Sequence, residues 1–442
     1  MSICSPDSPL AEQARAFDAQ DDLAAFREEF VFPTSNGQQC AYFAGNSLGL
    51  MPRAARAAVE EVLHEWGTLA VAGHHEARIP WYRYHEDLAP YLAELVGAAP
   101  HEVVAMNSLT VNLHLMLASF YRPRGMRRKI LLLPAEFPSD RYAVESHARW
   151  HTIARDDAIV ELPMDSTMRL STEAITNAIE TLGEQLALVH MSAVHYLTGQ
   201  FFDVAAITAA AHRVGAIAGW DLAHAIGNVP LHLHAWDVDY AVWCSYKYLN
   251  SGPGGVGGVF VHERHVRNRE LVRLAGWWGN DPATRFTMPQ WFEPVPSADS
   301  WQLSNAPVLA MAVHRIALEQ FHRAGIERLR QKSIRLTGFL ETVLQSLAVH
   351  YPQLGIEIVT PSDPAQRGAQ LSVRFRAGRA VHDHLLSRGI VVDWRSPDII
   401  RMAPAPLYCS FFDVLRLGSA VEEFASGVSS EAAYASTQSV SA

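Results

Sequence analysis

Short apolar runs rich in β-branched residues alternate along this chain with helical stretches, and most of the runs end in a polar loop. This alternation constrains the fold more than any other feature. "EVVAM" (102–106) precedes "NSLT" and the helical "VNLHLMLASF", and "KILLL" (129–133) precedes the loop "PAEFPSD". A helix over roughly 172–185 leads into "LALVHMSAV" (186–194), and "DVAAITAAAHRVG" (203–215) leads into "AIAGWDLAH" (216–224). "DYAVWCS" (239–245) and "GGVFVH" (257–262) complete the series. Strands joined through helices give a mostly parallel sheet covered on both faces, so an α/β fold is expected. Two helices are expected ahead of the series, at 11–30 and 52–67, the second opening at Pro52.

After "QLSNAPV" (302–308) the pattern changes to a long amphipathic stretch over roughly 308–347, bent near Gly325. The short strands "GIEIV" and "LSVRF" follow, and they read as a smaller α+β domain. The expected organisation is an N-terminal segment 1–55 packed with the small domain, a large domain 56–305, the small domain 306–428, and a disordered polar tail 429–442.

Composition removes several classes of function. A net charge of −10 argues against a non-specific nucleic-acid binder, which needs basic surface to neutralise phosphate. The apolar runs are too short to span a bilayer and the N-terminus lacks a basic-then-apolar leader, so a soluble, cytoplasmic protein with no membrane partner is expected. Cys4, Cys40, Cys244 and Cys409 show no CxxC spacing, which fits a reducing compartment without disulfide framework or zinc site. His232 and His234 in "LHLHAWD" lack an evident third ligand, so no metal is expected.

In an open α/β sheet, ligands gather where the strands end. The strand ending in "VWCSYKYLNSGPGGVGG" (242–258) places Lys247 between two tyrosines and beside a glycine-rich loop. A lone strand-end lysine is ordinarily a surface residue. The apolar neighbours here imply partial burial, which favours the neutral amine that Schiff-base chemistry needs. Asp221 ends another strand. Its ordinary reading is a turn or cap residue, but a buried carboxylate there would also pair with the ring nitrogen of pyridoxal phosphate. His224, three residues on, reads either as a surface histidine or as a partner that orients this aspartate. "NSLT" (107–110) opens a helix, where Ser108 or Thr110 reads as an ordinary N-cap, or free amides beside a hydroxyl make a phosphate site. The glycine run precedes a strand rather than a helix, so it is no dinucleotide fingerprint.

With these residues in place, the chain from about 40 to 425 resembles kynureninase, a pyridoxal-phosphate enzyme family of fold type I (the aspartate aminotransferase superfamily). The resemblance rests on "YFAGNSLGL", "AGHHEARIPW", "NSLTVNLHLML", "EFPSDRYAVESH", "HYLTGQ", "WDLAHAIGNVPL", "WCSYKYLNSGPGG", "GWWGNDPATRFTM" and "IIRMAPAPLYCSFFDV". It implies a homodimer that hydrolyses the Cβ–Cγ bond of L-kynurenine or 3-hydroxy-L-kynurenine, releasing L-alanine and anthranilate or its 3-hydroxy form. The implied context is tryptophan catabolism or the synthesis of NAD.

By the same resemblance, Lys247 would hold the cofactor and move the substrate α-proton, and Tyr246 would be a proton donor that also helps hold the phosphate. Asp221 would meet the pyridine nitrogen with His224 behind it. Phe137 would stack on the ring, with Pro138, Ser139 and Asp140 in the same loop, while Leu109 and Thr110 hold the phosphate. Ser192 matches a further cofactor contact, and Trp277 and Asn305 complete the site, partly from the neighbouring subunit. Arg401 would grip the substrate carboxylate. Ser47 and His74 fall where the substrate ring is contacted. Trp277-Trp278 stands where many relatives have Trp-Phe, and His74 with Asn305 resembles members that favour the 3-hydroxy substrate. The glycines after Lys247 would let backbone pass close to the cofactor. Two rivals remain at this level: another fold type I enzyme, such as a cysteine desulfurase using Cys409, and a cofactor-binding homologue without activity.

Overall fold

The computed structural model describes residues 3–438, with side chains through 427. It divides into two compact units: Pro52–Tyr196 with Phe201–Ile326, and Met1–Met51 with Leu197–Gln200 and Glu327–Ala442.

The first unit is built on a seven-stranded sheet. Its strands in chain order are β1 (Val103–Ala105), β2 (Lys129–Leu132), β3 (Ile159–Glu161), β4 (Leu186–Ser192), β5 (Ile217–Asp221), β6 (Tyr240–Trp243) and β7 (Gly258–Val261). They lie side by side as β1-β7-β6-β5-β4-β2-β3. The pairings from β6 across to β3 are parallel, whereas β7 runs antiparallel to both β6 and β1. The mostly parallel sheet expected from the alternation is therefore present, with one reversed strand. All seven residues of β4 are buried, as a strand covered on both faces requires.

Local chemistry starts and stops the connecting helices. Ser171 and Asp203 accept the amides of Ala174 (3.1 Å) and Ala206 (2.9 Å) and so cap Thr172–Leu182 and Val204–Arg213. Pro138 occupies the first turn of Pro138–Trp150. The helix Leu109–Phe120 differs: its N-cap residue, Ser108, makes no side-chain capping bond.

Gly219 of β5 shows how tightly the strands are matched. Its register partners are His190 and Tyr240, and an added Cβ would run into the Tyr240 ring. That ring cannot easily give way, because it stacks on Phe120 with centroids 5.0 Å apart. Gly219→Ala should therefore destabilise the protein by ~1–3 kcal/mol through overpacking. Urea unfolding monitored by circular dichroism will show this as a lowered midpoint, and Gly219→Ala with Tyr240→Ala should recover part of the loss.

The second unit has a four-stranded antiparallel sheet of β8 (Glu357–Ile358), β9 (Leu371–Arg374), β10 (Asp393–Arg395) and β11 (Ile399–Met402), in the order β8-β9-β11-β10. Within the same unit Ile390–Val391 pairs in parallel with Ala41–Tyr42. Three expectations need correction. The helix foreseen at 11–30 is Pro9–Ala19 followed by a separate 3₁₀ segment, Ala24–Glu29. Asp21 interrupts it by accepting the Leu23 amide at 3.0 Å and pairing with Lys332 at 2.7 Å. The stretch 308–347 is two helices, Val308–Ala324 and Ile326–His350, parted by Gly325 at φ +76°. The last helix runs Phe411–Gln438, so the tail foreseen from 429 begins inside it, and 439–442 lie outside the described residues.

Candidate active site

The ends of β4, β5 and β6 meet at one edge of the sheet, where the register sets Asp221 beside Ser192 on one side and beside Val242 on the other. The ladder continues one step past the strands, with the Ala193 amide on the Asp221 carbonyl (2.9 Å) and the Leu222 amide on the Val242 carbonyl (2.8 Å). This fixes the backbone on both sides of the Asp221 side chain. A cavity of about 160 Å³ opens there.

Its walls bring together ten of the residues singled out in the sequence: Leu109, Thr110, Phe137, Ser139, Asp140, Ser192, Asp221, His224, Tyr246 and Lys247. The Lys247 amine lies 3.0 Å from His224 Nε2 and 5.7 Å from the centroid of Phe137. Thr110 and Ser139 share a hydroxyl–hydroxyl hydrogen bond of 2.7 Å, which joins the uncapped start of Leu109–Phe120 to the start of Pro138–Trp150. An uncapped start leaves first-turn amides without intrahelical partners, and they favour an anion.

The deep end of the cavity is acidic. Asp140 and Asp221 are hydrogen-bonded to each other. Burial, reinforced by Glu136, raises the Asp140 carboxyl to about 7, and burial followed by Asp140 raises Asp221 well above the usual carboxylate range. The Lys247 amine offsets part of the charge on both carboxyls, yet both stay raised, so a second cation such as a protonated pyridine ring would be favoured against them. An uncapped helix start, an aromatic ring in Phe137, a primary amine and a buried carboxyl pair fit pyridoxal phosphate.

Several contributors were not legible in the sequence. Glu136 accepts both the Ser192 hydroxyl (2.5 Å) and the Ser192 amide (3.1 Å), tying the 134–140 loop to the end of β4. His190 Nε2 stands 3.4 Å from Asp140 Oδ1, and the Tyr240 hydroxyl stands 3.3 Å from His190 Nδ1. Tyr196 packs edge-on against Phe137 at 5.3 Å. Cys244 lines the cavity and is hydrogen-bonded to the Tyr246 hydroxyl; burial, then Cys244, raises the Tyr246 phenol.

Other expected residues lie elsewhere. Pro138 does not line the cavity and serves as the first helical residue. Trp277 is 43% exposed and borders a separate depression with Met288 and Trp291, and Asn305 is exposed. His74 stacks on Tyr82 at 4.2 Å, and buried Trp278 supports Tyr82 at 5.2 Å, so the second tryptophan acts on His74 through Tyr82. Ser47 and Arg401 belong to the other unit, where Arg401 is buried and its guanidinium pairs with Asp393 at 2.9 Å. One glycine of the loop after Lys247 has a requirement within the fold itself. A Cβ at Gly257 would fall 2.9 Å from the Trp243 carbonyl and 3.1 Å from the Leu109 amide, so it is β6 and the helix start that require the close approach.

Comparison with known proteins gives a consistent result. A family model for the kynureninase C-terminal domain matches residues 329–421. The kynureninase of Xanthomonas campestris pv. campestris (strain B100) is 52% identical over 423 residues, spanning 94% of this chain and 99% of that one. The kynureninase of Myxococcus xanthus (strain DK1622) is 52% identical over 412 residues, covering 92% of this chain and 96% of that one. That of Flavobacterium johnsoniae is 46% identical, covering 93% and 97%. Among solved structures, the cysteine desulfurase CsdA of Escherichia coli superposes with a TM-score of 0.74 at 18% identity, covering 92% of this chain and 99% of that one. C-DES with glycine covalently linked to its PLP cofactor gives 0.71 at 20%, covering 86% and 96%. These two likenesses establish the fold type I architecture.

Proposed function

The chain belongs to the kynureninase family, and from that premise we propose how its residues carry out the family's reaction. The protein is a pyridoxal-phosphate-dependent hydrolase that cleaves the Cβ–Cγ bond of L-kynurenine or its 3-hydroxy form, giving L-alanine and the corresponding anthranilate. The observation that carries this reading is the meeting of Lys247 and the Asp140–Asp221 pair in one cavity of a chain about half identical to kynureninases along nearly its whole length.

The bound cofactor supplies a conjugated cationic ring that accepts the electron pair released at the substrate's α-carbon and β-carbon. The remaining work falls to side chains. Lys247 Nζ would hold the cofactor covalently and move the substrate's α-proton, with His224 Nε2 at 3.0 Å orienting the amine. Asp221 holds the ring nitrogen in its charged form, and Asp140 and Ser192 set its position. Phe137, on the cavity wall, would cover the ring and exclude water. Thr110, Ser139 and the amides at Leu109 and Thr110 bind the phosphate. The Tyr246 hydroxyl, held by Cys244, gives a proton to the alanyl carbon. Arg401 receives the substrate carboxylate, its guanidinium plane set by Asp393. His74 and Ser47 contact the aromatic ring, and Trp277 and Asn305 complete the site across a homodimer. Support for the homodimer comes from the exposed Trp66, Met288 and Trp291, which are costly to leave in water. A cytoplasmic location is consistent with the described helices, none of which is long and apolar enough to cross a membrane.

The desulfurase alternative has little support, since it needs a reactive thiol. Cys409 is buried, donates to the Tyr42 carbonyl at 3.1 Å and has its thiol pushed well up by burial. The test is steady-state kcat/KM for L-kynurenine and 3-hydroxy-L-kynurenine on the cofactor-loaded protein, alongside sulfide release from cysteine. Turnover of either kynurenine with no sulfide is expected, with the 3-hydroxy substrate preferred on the strength of His74 and Asn305. Sulfide release without kynurenine turnover would refute the assignment.

A further inference from the structure

At the edge of the large sheet opposite the cavity, three side chains converge from segments far apart in sequence. β1 and β6 begin at this edge, and β7, which runs antiparallel to both, ends there. Glu102 immediately precedes β1, His234 lies in the loop that leads to β6, and His262 directly follows β7. Glu102 is fully buried, and both of its carboxylate oxygens are fixed by backbone, Oε2 by the Ala99 amide (2.9 Å) and Oε1 by the Glu263 amide (2.7 Å). His234 Nδ1 sits 3.0 Å from each of those oxygens. His262 Nδ1 lies 3.9 Å from Oε1 and accepts the Arg264 amide at 3.3 Å. The two imidazoles stack, with centroids 4.8 Å apart and planes at 15°. One donor atom from each of the three residues lies within 4.8 Å of the others.

The simpler interpretation is a carboxylate paired with a protonated histidine. A single histidine would suffice for that, and stacking a second imidazole on the first is unfavourable if both carry a proton. Two neutral imidazoles and a carboxylate are instead the donor set of a borderline first-row dication. Backbone amides on the carboxylate provide the outer support such ligands need. Around the three residues Asp237 (3.5 Å from His262 Nε2), Asp239 and Glu263 face Arg264 and Arg267 together with the imidazoles of His101, His212 and His265, so the surroundings carry no excess of fixed positive charge. The His234 side chain is 46% exposed, so the cluster is reached from solvent on that side. His232, its neighbour in "LHLH", turns away to pack on Trp236. The third ligand that the sequence did not reveal is supplied by distant residues.

We propose that Glu102, His234 and His262 form a binding site for one divalent cation of zinc's class, a structural tie that joins the starts of β1 and β6 to the end of β7. Such a tie acts only on the folded chain, because the unfolded chain does not bring the three residues together.

The test is isothermal titration of the cofactor-loaded full chain with ZnCl₂, compared with His234→Ala and with His232→Ala as a control. The wild type and His232→Ala are expected to bind one equivalent in a saturable step that raises the melting temperature. His234→Ala should weaken that step by at least ~100-fold, the upper end of what losing a mere supporting partner costs, while its kcat/KM is unchanged. His262→Gln should weaken it as well. Absence of a saturable step in the wild type, or identical isotherms for wild type and His234→Ala, would overturn the proposal.

Discussion

Lys247→Ala is expected to lower kcat by roughly 10⁴-fold or more while leaving the melting temperature of the cofactor-free protein within a few degrees of the wild type. Proton transfer by a positioned side chain is worth roughly 10²–10⁴-fold on its own, and Lys247 also provides the covalent attachment. Its amine is hydrogen-bonded to His224 Nε2, stands over the Phe137 ring and faces the Asp140–Asp221 pair, but it makes no tie to the backbone of the described residues, so the fold loses little when the side chain is cut back. The variant should still take up cofactor through Asp221, Thr110 and the helix start, but lose it on gel filtration, and it should lack the wild type's visible absorption band. Turnover within about a hundred-fold of the wild type would mean that another group moves the α-proton.

Asp221→Asn is expected to act in opposite directions on activity and stability. The amide cannot hold a ring nitrogen in its charged form, and removing one such preorganised electrostatic group costs roughly 10²–10³-fold in kcat. The effect on the cofactor-free protein has the other sign. Burial raises Asp221 and raises Asp140 to about 7, so both carboxyls bind protons more tightly folded than unfolded. Below about pH 4 both states are protonated and nothing is lost. As pH rises from about 4 to 7 the unfolded chain sheds protons that the folded chain retains, and stability falls. An asparagine at 221 takes one of these groups out of the balance. The cofactor-free variant should therefore be more stable than the wild type at pH 8 and lose less stability between pH 5 and pH 8. Urea midpoints at the two pH values, with kcat measured in parallel, test both halves. A variant less stable at pH 8 would show that Asp221 is ionised and favourably paired even without cofactor.

The sequence exposed what is local. Alternating strands and helices placed the sheet, and the strand-end loops of Asp221, His224, Tyr246 and Lys247 come together at one cavity, because in a parallel sheet those loops must share an edge. What stayed hidden depends on long-range register. Glu136 reaches the end of a strand 56 residues away, and His190 meets Tyr240 across Gly219, whose missing side chain makes room for the ring. The same holds at the opposite edge, where the partners of His234 come from positions 102 and 262. Helix 11–30 failed for a local reason: apolar periodicity continues past Ala19, but the Asp21 side chain takes a backbone amide and stops the helix.

The acidic end of the cavity has one more consequence. Asp140 and Asp221 are both almost fully shielded from water, and burial makes each bind its proton more tightly than an exposed carboxyl does. Folding therefore makes both carboxyls weaker acids than an exposed aspartate, and a basic nitrogen set against Asp221 meets a group that holds its proton unusually tightly. As pH rises that difference is lost, so uptake of such a base should weaken toward alkaline pH.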